Sequence, residues 1–142
     1  MKIQDVMNRH VEFAGLDDPV SELAVMMGDL DVGSLPIGTA DDAKGVVTDR
    51  DILYRVVARG LDPAQTRARD VMSAPLLACR PSDSLQAAMD LMTAHRIRRL
   101  AVTQGEGAVV GWVTLADLSR VLLLESGTVQ SALREITRES AG

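Results

Sequence analysis

Apolar residues along the chain follow two spacings in turn. In short segments they alternate with polar residues or form brief runs, as in strands. Between these segments they recur every three or four positions, as on one face of a helix. In the first half this pattern predicts strands at 11–14, 34–38 and 45–48, with a helix after the first and after the last. The order β-α-β-β-α indicates a mixed α/β fold.

The second half of the chain repeats this order. Strands are predicted at 76–79, 100–103 and 108–114, again with helices after the first and the last. Asp5-Val6-Met7 recurs as Asp70-Val71-Met72, and we call these two stretches the leader segments. The repeat is longer than the roughly 20–50 residues of most repeat arrays, so two tandem copies of a small α/β unit are expected.

The repeat sets the expected domain boundaries. Residues 1–60 form the first unit, 61–69 a linker, 70–125 the second unit, and 126–142 a C-terminal helix and tail. The tail carries a narrow apolar stripe formed by Val129, Ala132, Leu133 and Ile136. The run Leu122-Leu123-Leu124 is wider than one buried stripe needs. It predicts a second apolar surface, used in dimerisation or covered by the tail.

Composition narrows the class of protein. Hydrophobic residues make up 46% of the chain, and only Phe13, Tyr54 and Trp112 are aromatic, so an aliphatic core is expected. A net charge of −5 argues against nucleic-acid binding. The single cysteine, Cys79, fits a reducing compartment, and no apolar run is long enough for a signal peptide or a membrane span. We therefore expect a cytoplasmic protein without a membrane partner.

A motif of threonine and aspartate lies near the end of each copy. Thr48 and Asp51, and then Thr114 and Asp117, follow a strand and begin a helix. At such a junction the carboxylate can accept hydrogen bonds from both hydroxyls of a ribose, and free backbone N–H groups attract phosphate. A second interpretation stays open, because Thr-x-x-Asp also resembles a capping box, which stabilises a helix by about 1 kcal/mol without any ligand.

The order of elements, the leader segments and the repeated Gly-x-Val-Thr-x-x-Asp motif together resemble the CBS domain, and two copies in tandem resemble a CBS pair, or Bateman module. The segments that carry the resemblance are Val32 to Ile37, Thr48 to Asp51 and His95 to Leu100. The chain is similar to stand-alone bacterial CBS pairs. Ala58-Arg59-Gly60-Leu61-Asp62-Pro63 also resembles a stretch of the actinobacterial hypoxic-response type.

The resemblance implies a fold and a class of function. The two units would pack about a pseudo-twofold axis with two related clefts, and the protein would form a homodimer. It would bind an adenosine compound such as AMP, ADP, ATP or S-adenosylmethionine. Asp51 and Asp117 would bind the ribose hydroxyls, while Thr48, Thr114 and nearby basic residues would approach the phosphate.

The two copies differ where the phosphate would lie. Arg98 and Arg99 precede the central strand of the second copy, where the first copy has no arginine, and Arg50 is the basic candidate in the first. Guanidinium groups suit phosphate oxygens by bidentate geometry, so the Asp117 cleft is expected to be preferred. If the strand begins at these residues, Arg98 and Arg99 lie on opposite faces, and at most one of them should face a given cleft.

Two functions are therefore expected to compete. The first is a non-enzymatic sensor that binds a nucleotide between its two units. The second is a ligand-free, stress-related dimer that acts as an adaptor for a protein partner. Catalysis is not expected, because the sequence offers no activated nucleophile or acid–base pair. Cys79, His10 and His95 lack the spacing of a metal site, and no cofactor is required by the pattern.

Overall fold

The computed structural model describes residues 1–125, 127, 131 and 134–136. Most of the predicted C-terminal helix and tail lies outside the described residues, including Val129, Ala132 and Leu133 of its apolar stripe. Ile136, the last residue of that stripe, is helical and exposed. Among the described residues, no helix has both the length and the apolar character needed to cross a bilayer.

The expected mixed α/β fold with two similar units is confirmed. The first unit contains α1 (Val20–Leu30), β1 (Ser34–Gly38), β2 (Ala43–Thr48) and α2 (Asp49–Ile52), which continues as a π-helix (Leu53–Val57). After α3 (Ala68–Val71), the second contains β3 (Ala78–Cys79), α4 (Leu85–His95), β4 (Arg99–Gln104), β5 (Ala108–Thr114) and α5 (Leu115–Glu125). The antiparallel pair β1-β2 and the sheet β3-β4-β5, in which β3 is parallel to β4, form the two sheets.

The first strand of each unit is shorter than the sequence predicts. In the predicted strand 11–14, only Ala14 pairs with β1, as a single bridge to Ile37. The backbone N–H of Gly15 donates to Oδ2 of Asp18 at 2.7 Å, and this local turn ends the extended segment. In the second unit the predicted strand 76–79 is reduced to β3.

The helix after Asp51 also departs from the expected α-helical pattern. Its π-helical turns include a hydrogen bond from the N–H of Ala58 to the carbonyl of Leu53 at 2.9 Å. A π turn changes the angular spacing of side chains along a helix, so the predicted apolar stripe does not stay on one face. Val56 is fully buried, whereas Leu53 and Val57 are exposed together with Tyr54 and Leu61. We call Leu53, Tyr54, Val57 and Leu61 the π-helix face.

Each leader segment packs into the core of the other unit. Val71 and Met72, with Ala68, complete the core of the first unit, whereas Ile3, Val6 and Met7 complete that of the second. The predicted boundaries after residues 60, 69 and 125 stay predictions. The packing shows only that the units exchange these short segments and are tied together by them.

Backbone hydrogen bonds fix the exchanged segments. Val46 on β2 and Ser73 bond to each other through both N–H groups, at 3.0 and 2.8 Å. Trp112 on β5 and Asn8 do the same, at 2.9 Å in both directions. The residue that follows each leader segment therefore acts as an extra strand partner for the other unit.

This close approach explains the glycine at the start of the repeated motif. A Cβ on Gly45 would lie 2.5 Å from the carbonyl oxygen of Ser73, and one on Gly111 would lie 2.5 Å from Sδ of Met7. Both glycines are needed because the exchanged segment leaves no room for a side chain. The obstacle is rigid backbone at Gly45 and the flexible end of a side chain at Gly111.

We expect Gly45→Ala to destabilise the protein by about 1–3 kcal/mol, because the added methyl overlaps a backbone carbonyl. Gly111→Ala should cost less, since the Met7 side chain can move. Gly28→Ala is the control, because no atom lies within 4 Å of a Cβ there and alanine favours the helix. Urea unfolding monitored by circular dichroism measures all three. If Gly28→Ala lowers the free energy of unfolding as much as Gly45→Ala does, the packing argument is wrong.

Candidate functional site

A cleft of about 870 Å³ lies between the two units. One wall is the end of α1 and the start of β1, from Leu30 to Pro36. The opposite wall comes from the second unit, at the junction of β5 with α5 and at the start of β4. The segment between Asn8 and Glu12, which follows the first leader segment, lines the cleft as well.

Four of the seven predicted site residues line this cleft: Thr114, Asp117, Arg98 and Arg99. Thr48, Asp51 and Arg50 are not part of its lining. The expectation that at most one of the two neighbouring arginines would face a given cleft depended on both lying in the strand, and this condition is not met. Strand β4 begins at Arg99, so Arg98 belongs to the preceding loop and does not follow strand alternation.

Thr114 and Asp117 form a reciprocal cap at the start of α5. Oγ1 of Thr114 accepts the N–H of Asp117 at 3.1 Å, and Oδ2 of Asp117 accepts the N–H of Thr114 at 3.3 Å. The other carboxylate oxygen, Oδ1, is contacted by Nη2 of Arg120 at 3.3 Å. The cap uses one oxygen of Asp117, so capping and ligand binding are compatible at this residue.

Arg98 and Arg99 are the two arginines of the cleft lining, which also contains the carboxylates of Glu12, Asp31 and Asp117. Within the part of the chain that the structure describes, neither guanidinium has a carboxylate within 4.0 Å. Burial lowers the pKa of Arg99, while the charges of Asp49 and Asp51 act in the opposite direction. A half-buried guanidinium without an ion-pair partner favours an anionic ligand.

Thr48 and Asp51 form the same cap at the start of α2 but have different surroundings. Oγ1 of Thr48 accepts the N–H of Asp51, and Oδ2 of Asp51 accepts the N–H of Thr48, both at 3.0 Å. Oδ1 of Asp51 faces Oγ of Ser73 at 3.5 Å and Nε of Arg55 at 3.7 Å. The Asp51 side chain is only 12% exposed, against 34% for Asp117.

The third predicted residue of the first copy, Arg50, lies on the protein surface. Its guanidinium carbon is 5.2 Å from the centroid of the Tyr54 ring, a cation–π contact. Arg50 and Asp51 contact different neighbours, and neither lines the cleft beside Asp117.

Sequence reasoning missed two sets of residues. Arg55 had a signal, because an aspartate and an arginine four positions apart on a helix form a familiar ion pair. The segment between Asn8 and Glu12 had none, because nothing in the pattern says that the first leader segment crosses to the second unit. Among the described residues, no group of three His, Cys, Asp or Glu side chains lies together as a metal site would need.

Cys79 has no role in this cleft. It lies in β3 with 5% of its surface exposed, as expected for a small core residue. Burial, assisted by the charge of Asp83, raises the pKa of its thiol to about 11. The thiol is therefore neutral and protected near neutral pH.

The chain belongs to the CBS-domain family. The family model, described as CBS domain, matches residues 3–58 and 68–124, which correspond to the two units. Two CBS domains in tandem are generally a regulatory module that binds adenosine ligands, and stand-alone examples are typically regulatory rather than catalytic.

Relatives of similar length support this assignment. The chain is 35% identical over 138 residues to the CBS domain-containing protein YhcV of Bacillus subtilis, covering 97% of this chain and 96% of that one. It is also 35% identical over 120 residues to hypoxic response protein 1 of Mycobacterium tuberculosis, covering 84% and 83% of the two chains. A crystal structure of hypoxic response protein with two coordinated zinc ions matches with a TM-score of 0.74 and 34% identity, covering 84% of this chain and 98% of that one.

A second solved structure bears on assembly. The hexameric CBS-CP12 protein from bloom-forming cyanobacteria matches with a TM-score of 0.77 and 25% identity, covering 99% of this chain and 80% of that one. Homologous CBS proteins therefore form oligomers, which is consistent with self-association of this chain.

The two capping aspartates are expected to contribute unequally to stability. Asp51→Ala should lower the free energy of unfolding by about 1–2 kcal/mol, because it removes a cap and leaves Arg55 and Ser73 without their shared partner. Asp117→Ala should cost about 0.5–1 kcal/mol, since its remaining contact is with an exposed arginine. Urea unfolding of both variants measures the free energy of unfolding. A larger decrease in Asp117→Ala than in Asp51→Ala would contradict this prediction.

Proposed function

We propose that this protein is a non-enzymatic regulatory module that binds an adenosine nucleotide in the cleft beside Asp117. The observation that supports it most is the convergence of Thr114, Asp117, Arg98 and Arg99 on one cavity. The carboxylate of Asp117 suits the ribose of a nucleotide, and the helix N-terminus with the two arginines suits its phosphate; Glu12 and Asp31 are the other carboxylates of the lining. Its volume of about 870 Å³ lies in the range of small-molecule sites, about 300–1,000 Å³.

Each part of a nucleotide has a chemically suitable contact. Oδ1 of Asp117 would accept the ribose hydroxyls in place of Arg120. The phosphate would bind between Arg98, Arg99 and the N-terminus of α5, whose helix dipole favours an anion. Backbone and apolar side chains between Val32 and Pro36 would enclose the base.

The two arginines of the cleft rank the candidate ligands. AMP, ADP and ATP carry phosphate groups that Arg98 and Arg99 can contact, whereas S-adenosylmethionine has no phosphate. We therefore place the three nucleotides above S-adenosylmethionine. Because both units supply walls of the cleft, a bound nucleotide would restrain their relative position, which offers a route from binding to a regulatory signal.

We also propose a homodimer in the cytoplasm. The π-helix face exposes Leu53, Tyr54, Val57 and Leu61, and α5 exposes Leu123 and Leu124 about half. Clustered apolar side chains of this size are typical of a protein–protein contact. The wide leucine run of α5 thus fits the second apolar surface expected from the sequence, and the single buried thiol suits a reducing compartment.

A ligand-free adaptor for an unknown protein partner is the second candidate. It is favoured by the completeness of both caps, since each Thr-x-x-Asp motif satisfies its helix without any ligand. In that case the apolar surfaces alone would carry the function.

Calorimetric titration with AMP, ADP, ATP and S-adenosylmethionine tests the nucleotide proposal. The wild-type protein should bind at least one of the three nucleotides, and Asp117→Ala should weaken it by tenfold or more, because the ribose hydroxyls lose their acceptor. Asp41→Ala is the control, since it makes the same charge change on an exposed turn outside the cleft. No saturable heat with any of the four compounds would favour the adaptor.

Val57→Glu should shift the protein from dimer to monomer, because it places a charge in the centre of the π-helix face. The matched control is Val25→Glu, a valine of similar exposure on α1, at 64% against 62% for Val57. Size-exclusion chromatography with light scattering gives the mass of each variant. A dimer that survives Val57→Glu would exclude this face as the contact.

A further inference from the structure

The pseudo-twofold relation between the units predicts a related cleft beside Asp51, which we call the first cleft because it belongs to the motif of the first copy. One residue makes the surroundings of Asp51 different from those of Asp117. Arg55 lies one helical turn after Asp51, and the corresponding position one turn after Asp117 is Val121. Arg55 reaches the backbone carbonyls of the second leader segment, whereas Val121 packs against the core of the second unit.

Arg55 is fixed by three groups at once. Its Nη1 donates to the carbonyl oxygen of Val71 at 3.1 Å and to that of Met72 at 3.3 Å. Its Nε lies 3.7 Å from Oδ1 of Asp51. The guanidinium therefore covers the carboxylate oxygen that the cap leaves free, and it is held there by the backbone of the second leader segment.

The corresponding oxygen of Asp117 is covered less firmly. Its contact is Arg120, whose side chain is 67% exposed, and no other hydrogen bond holds that guanidinium among the described residues. A ribose can replace Arg120 without breaking any backbone hydrogen bond. At Asp51 a ribose would have to displace Arg55 and leave the carbonyls of Val71 and Met72 without their donor.

We propose that Arg55 closes the first cleft from inside, so that each chain binds one nucleotide, at Asp117. This inference rests on the proposed function, and it assigns to Arg55 the choice of which cleft takes the ligand.

The exchange of one residue tests this assignment. Val121→Arg gives the second copy the arginine of the first, four positions after the aspartate. We expect this variant to bind AMP or ADP at least tenfold more weakly than the wild type. Val121 is not in the cleft lining, so the loss would come from the closed carboxylate. The control is Val121→Met, which adds a long side chain without a charge. It should bind AMP or ADP as tightly as the wild type does.

The molar ratio of binding gives a second, independent measurement. The wild-type chain should bind one AMP or ADP per chain in calorimetric titration, and thermal unfolding should show that both variants are folded. A ratio of two would overturn the closed first cleft and leave the proposed function intact. Full binding by a folded Val121→Arg would overturn the role of the arginine. No binding by the wild type would overturn the proposed function and this inference with it. If Val121→Arg does not fold, the number of nucleotides bound per wild-type chain alone tests whether the first cleft is closed.

Discussion

The reciprocal exchange of the leader segments is the contact on which the rest of this structure depends. Each segment adds backbone hydrogen bonds to the other unit, between Val46 and Ser73 and between Trp112 and Asn8. It also buries apolar side chains there, and Gly45 and Gly111 leave the room for this approach. Without the exchange neither core would be complete, and the walls of the cleft would not be held at a fixed distance.

The Thr-x-x-Asp motif of each unit serves two purposes. In each Thr-x-x-Asp motif one carboxylate oxygen completes the helix cap, and the other remains for a further partner. That partner is Arg55 together with Ser73 at Asp51, and Arg120 at Asp117. Two copies of one motif therefore differ in chemistry because of what lies next to them, while the cap itself is the same.

The net charge of the chain does not describe the charges around the cleft. The net charge of −5 belongs to the whole chain, whereas Arg98 and Arg99 lie at the start of one strand beside a helix N-terminus. Interactions at this range depend on the nearest groups, because charges further away on the surface are screened by salt. The overall charge thus argues against nucleic acid without arguing against a small phosphorylated ligand.

The sequence by itself determined the mixed α/β class, the two copies, the central strands and the capped helix starts. Each of these depends on residues within a few positions of one another, so periodicity and local hydrogen bonding are enough to predict them. It also singled out Thr114, Asp117, Arg98 and Arg99. Only the tertiary structure decided that these four share a cavity with the segment after the first leader, that the first strand is reduced to one bridge, and that Asp51 faces Arg55 and Ser73. Those contacts join residues far apart along the chain, and a contact between distant residues leaves no periodic trace in the sequence.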